Sequence, residues 1–130
     1  LEVSPNYNLL IENNLEKFSE ELAEICSIGL PVKVVLDINR LPLEKLPNAV
    51  EASIDSGVEG IQSGNGFGPS IAPERLQALK ELVKGRCSIK AVGGIHKLSE
   101  AIKALNAGAD SLGTTNGPEL MKEFRNKLNE

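Results

Sequence analysis

Apolar and polar positions along the chain follow two alternating periods. Short apolar runs read as strands: "LEVS" (1–4), "VKVVLD" (32–37), "GIQS" (60–63), "CSIKAV" (87–92) and "DSLGT" (110–114). Between them, residues 15–28, 47–56, 73–84, 98–107 and 118–128 read as amphipathic helices. Leu15, Phe18, Leu22, Ile25 and Cys26 show the spacing of three and four most clearly. Pro73 and Pro118 suit a helix's first turn. Ser99 or the residue before it opens another helix, which Gly108 ends.

Strand–helix alternation with short connections predicts a parallel sheet with right-handed crossovers. Two α/β architectures satisfy that rule, an open doubly wound sheet and a (βα)8 TIM barrel. The glycines and polar residues favour the barrel. They gather after successive strands, at Ser63–Gly68, Gly93-Gly94 and Gly113–Gly117, whereas an open sheet concentrates glycines in its first βα turn. Five strands do not close a barrel. The expected architecture is therefore one domain over residues 1–130, a partial TIM barrel holding about strands 4–8, with roughly three leading strands outside this sequence. A fragment or processed chain is expected over a stand-alone half. Such a half exposes strand edges and apolar helix faces, so a homo-oligomer or association with an N-terminal half is expected.

Composition narrows the function. Apolar residues make up 41% and charged residues 25% of 130, values that suit a single globular core. No run approaches the ~20 apolar residues of a membrane span, and the first residues lack a signal-peptide pattern. A cytoplasmic protein without membrane partners is expected. The net charge is −4, basic residues are scattered, and Trp is absent, which argues against nucleic acid as a partner. Cys26, Cys87 and the single histidine, His96, cannot be assembled into a metal site. Both cysteines are expected to be buried small hydrophobes.

The chemistry concentrates in the loops. Gly93-Gly94, between a strand and "IHKLSEAI", lets backbone N–H groups approach an anion. "GTTNGPELM" repeats the device with Gly113, Thr114, Thr115 and Asn116 ahead of a helix N-terminus. Tight turns without function would look similar, but three such loops on consecutive strands favour a phosphate or carboxylate ligand. Lys90 sits inside an apolar strand, where an ammonium needs a polar pocket or an acid. Lys33 raises the same question, with Asp37 on the same strand face, so a structural ion pair is the plain alternative.

At these residues the sequence resembles the deoxyribose-phosphate aldolase family, class I aldolases that join acetaldehyde to glyceraldehyde 3-phosphate. The stretches "VKVVLDINRL", "IQSGNGFGPSIAP" and "IKAVGGIHKLSEAIKALNAGADSLGTT" carry the likeness, and "EVSPNYNLL" falls at the family's acidic strand. The resemblance implies a TIM barrel and no cofactor or metal. It implies phosphate-binding positions at Gly66, Gly93, Gly94, Thr115 and Asn116. It also places the family's Schiff-base lysine on Gln62 and its catalytic aspartate on Glu2, while keeping the neighbouring lysine as Lys90 and another strand lysine as Lys33. An amide cannot form an imine, so retro-aldol chemistry at position 62 is expected to be lost or altered.

Three functions follow from this reading. One is an aldolase-related lyase in which Lys90 forms the imine or acts as base. Another is a non-catalytic or regulatory protein that binds a phosphorylated small molecule. The third is a structural subunit whose half-barrel packs on a partner.

Overall fold

The structure, a computed structural model, describes residues 1–130. Five strands form one sheet in chain order: β1 (Glu2–Val3), β2 (Lys33–Val35), β3 (Gly60–Gln62), β4 (Ser88–Val92) and β5 (Ser111–Gly113). Every neighbouring pair is parallel. The helices are α1 (Tyr7–Ile11), α2 (Leu15–Cys26), α3 (Leu46–Asp55), α4 (Pro73–Val83), α5 (Leu98–Ala107) and α6 (Gly117–Leu128). A 3-10 turn, Leu43–Lys45, leads into α3.

The pleat sorts the strands' side chains onto two faces. Val34, Ile61, Ile89 and Ala91 point into the core beneath the helices, all nearly fully buried. Phe18, Leu22, Ala49, Val50, Leu76, Leu79 and Ala101 meet them from α2, α3, α4 and α5. The alternate residues, Lys33, Gly60, Gln62, Ser88, Lys90, Ser111 and Gly113, occupy the other face. Lys33 lies opposite Glu2 and Gly60, and one layer on, Gln62 lies opposite Lys90.

Several expectations need correction. The first strand is shorter than residues 1–4, because Pro5 follows and has no N–H to donate to a ladder. The helix expected over 15–28 ends at Cys26, before Gly29 at φ +89°. Helix α1 was not expected: five residues with only Leu9 and Leu10 buried are too short to show a period. Its carbonyl end is held from afar by Lys45 Nζ, which donates to Leu10 O at 3.3 Å, Ile11 O at 2.9 Å and Asn13 Oδ1 at 2.8 Å. Cys26 and Cys87 are half-buried free thiols rather than fully buried ones, though desolvation still pushes both thiols up.

Lys33 and Asp37 do not pair. Four extended residues span ~13 Å, beyond the reach of one ion pair. Asp37 instead meets Arg40 Nε at 3.3 Å in the turn after β2.

Candidate functional site

The carboxyl ends of β3, β4 and β5 open into a cleft of about 270 Å³. Gln62, Lys90, Glu2 and Gly113 come from strands, while Asn65-Gly66, Gly93–His96 and Thr114-Thr115 come from the loops that follow. Nine of the residues singled out in the sequence thus meet in one place: Glu2, Gln62, Gly66, Lys90, Gly93, Gly94, Gly113, Thr114 and Thr115. Lys33, one layer down, and Asn116 do not line it.

Lys90 reaches across the sheet to Glu2, with Nζ 2.6 Å from Oε1. Gly113 makes room for it: a Cβ there would lie 3.3 Å from Lys90 Cε and 2.7 Å from Val92 Cγ2. Hydrogen bonding from the Lys90 ammonium holds the Glu2 carboxyl below its ordinary 4.5, against some desolvation and with smaller help from the Lys33 charge. The two side chains are 24% and 48% exposed, so water screens the pair and its net contribution stays below about 1 kcal/mol.

Gln62 is only 5% exposed. Its Nε2 donates to Gly64 O at 2.8 Å, which ties the strand end to the glycine loop, and its Oε1 has no partner. Ser63 secures the same loop: its hydroxyl donates to Val92 O at 3.0 Å and accepts from Val92 N at 2.9 Å.

The loops offer donors. The backbone N–H groups of Gly93, Gly94, Ile95, Thr114 and Thr115 donate to no group of the chain and stand on the cleft's rim. Asn116 departs from expectation. Its N–H donates to Thr114 Oγ1 at 3.0 Å and its side-chain amide to His96 O at 2.8 Å, so it shapes the loop instead of presenting a free donor. Gly94 also departs. Its φ is +68°, and a Cβ there would fall inside the Ser70 side chain, 2.9 Å from Ser70 Cα. The missing Cβ makes room for the neighbouring loop, while the Gly94 N–H remains among the unpaired donors of the rim.

Sequence reasoning missed Tyr7: it lies within "EVSPNYNLL", but nothing local marks its hydroxyl for a contact some 30 residues away. Its hydroxyl donates to Val35 O and accepts from Asp37 N at 3.1 Å, pinning the end of β2. Burial raises the Tyr7 phenol above its ordinary 10.0. Tyr7, Asp37, Arg40 and Asn65 line a second cleft of about 240 Å³. A wider depression of about 350 Å³ between α5 and α6 lies away from these groups, beside Glu123 and Lys127.

A parallel sheet whose glycine loops and polar side chains converge at the strands' carboxyl ends defines a TIM-barrel type of protein, here its C-terminal portion. No family model matches the chain. Among curated proteins it is a homologue of those named deoxyribose-phosphate aldolase. The one from Gloeobacter violaceus is 32% identical over 124 residues, covering 95% of this chain and 55% of its own. The one from Thermosynechococcus vestitus is 37% identical over 125 residues, covering 94% and 57%. Among solved structures, the aldolase QR15 superposes with a TM-score of 0.92 at 32% identity, over 98% of this chain and 59% of that one. The chain thus spans a little over half the length of the relatives it matches. No helix is long and apolar enough to cross a membrane.

Proposed function

We propose that this chain is the ligand-binding part of a deoxyribose-phosphate aldolase-like barrel, that it takes a phosphorylated small molecule, and that its retro-aldol catalysis is impaired. The observation that carries the reading is the state of the cleft's one primary amine. Lys90 Nζ is held 2.6 Å from Glu2 Oε1 and lies in register with an amide, Gln62, where the family resemblance puts the imine-forming lysine. An imine needs a free amine with its lone pair available; an ammonium bound to a carboxylate has none. Phosphate binding is supported by the unpaired N–H groups of Gly93, Gly94, Ile95, Thr114 and Thr115, a concave set of donors of the kind that holds oxyanions.

The cytoplasm is the proposed compartment, which suits two free thiols. Association is proposed as well. Beta strands β1 and β5 each pair on one side only. On α6, Met121, Phe124 and Leu128 lie on one helix face and are 50%, 43% and 67% exposed. An N-terminal half or a second copy would cover them.

Two measurements test the reading on the full chain. Inorganic phosphate is expected to raise the melting temperature, as binding to the folded state alone requires. Deoxyribose 5-phosphate is expected to leave no borohydride-trapped adduct. Cleavage at an ordinary aldolase rate, with hydride trapping on Lys90, would overturn it.

A further inference from the structure

The Gln62 amide has its orientation dictated by what faces it. Gly64 O is a carbonyl oxygen, so the end of the amide lying 2.8 Å from it must be the N–H2 group. Oε1 is therefore fixed as the opposite end, buried and without a donor from the protein. A buried amide oxygen left unpaired carries a desolvation cost that a single incoming donor removes. The nearest amine does not serve it, because Lys90 turns to Glu2.

Resting on the phosphate-binding reading above, we propose that Gln62 makes the floor of the cleft an acceptor site, selecting the hydroxyl-bearing end of a phosphorylated ligand over a carbonyl-bearing one. An alcohol, a hydrated aldehyde or a ring-closed sugar brings an O–H to Oε1. An open-chain aldehyde or a carboxylate brings only oxygen lone pairs and is repelled. The ligand class is thus a polyol phosphate or the hydrated or cyclic form of a sugar phosphate, with its phosphate on the N–H groups of the Gly93–Ile95 and Thr114-Thr115 loops. The same position that resembles an imine-forming site in sequence becomes one that avoids free carbonyls.

Calorimetric titration of the full chain tests this with two matched pairs, glycerol 3-phosphate against propyl phosphate and ribitol 5-phosphate against pentyl phosphate, alongside inorganic phosphate. At least one polyol ester is expected to bind the parent about tenfold more tightly than its alkyl partner. In Gln62→Met that preference is expected to fall to about twofold or less, with inorganic phosphate affinity unchanged. If Gln62→Met does not fold, the ratios in the parent decide alone. Phosphate binding with no polyol preference in the parent would overturn the selectivity and leave the anion site standing. An undiminished preference in a folded Gln62→Met variant would also overturn it. Binding of none of the five compounds would overturn both readings together.

Discussion

Replacing Gly94 by alanine separates the architecture of the site from its ligand. At φ +68° an L-residue pays about 1–2 kcal/mol for its backbone alone. The added Cβ would also stand 2.5 Å from Ser70 Cβ and 2.9 Å from Ser70 Cα. Side-chain rotation moves only Ser70 Oγ and relieves neither contact, because the backbone fixes both Cα and Cβ. Overpacking of this kind costs about 1–3 kcal/mol. Gly94→Ala is therefore expected to destabilise the chain by about 2–5 kcal/mol, read as a shift in urea midpoint at constant slope. Ser70→Gly removes Oγ and Cβ and leaves the 2.9 Å contact, so the double variant should recover part of the loss. Because the two residues touch, their effects should be non-additive. A Gly94→Ala cost below about 0.5 kcal/mol, or strict additivity with Ser70→Gly, would refute the account of this loop.

Two further outcomes follow from the pinned strands and the ion pair. Glu2→Gln is expected to cost less than about 1 kcal/mol at pH 7, because the pair is partly exposed. The folded-state pKa of Glu2 is lowered, so its contribution is present above the unfolded value and is lost as pH falls through the folded one; parent and variant stabilities should converge once the pH has fallen through that lowered value, and a gap that widens on acidification would contradict the pairing. Tyr7→Phe keeps the ring but leaves Val35 O and the Asp37 N–H without their shared hydroxyl. A loss of about 1–3 kcal/mol in chemical denaturation is expected, and no loss would show that water replaces the hydroxyl freely.

The fold was legible where the sequence repeats a local rule. Alternation placed Lys90 and Gln62 on adjacent strands facing one cleft, as the register shows, and glycines marked the loops above them. What sequence could not show are contacts made at a distance. Glu2 and Lys90 are 88 residues apart, and nothing local to either announces the pair. Lys45 closing α1, Tyr7 pinning β2 and Ser70 pressing on Gly94 are of the same kind. Lys33 and Asp37 failed for the opposite reason. They share a strand face, but extended backbone carries charges apart at ~3.3 Å per residue.

Gln62→Lys tests the proposed impairment of imine chemistry at this position. The introduced amine would stand in register with Lys90, on neighbouring strands ~5 Å apart. A cation at that distance, with an effective dielectric near 20, raises the cost of protonating it by 332/(20 × 5), or ~3 kcal/mol. That lowers its pKa from lysine's reference ~10.4 to ~8, a change from under ~0.1% to nearly ~10% free amine at pH 7. Glu2 opposes this. Its carboxylate, 2.6 Å from Lys90 Nζ, neutralises the cation that would do the lowering. The single variant should therefore trap a small aldehyde under borohydride only slowly, with a pH midpoint near ~10. The double variant Gln62→Lys with Glu2→Gln frees the Lys90 charge, and its midpoint should fall toward ~8, with trapping at pH 7 faster by about two orders of magnitude. Parent chain should show no adduct at position 62 at any pH. Equal midpoints in the single and double variants would mean that Glu2 does not control the electrostatics of the cleft, and the explanation would then have to rest on geometry alone.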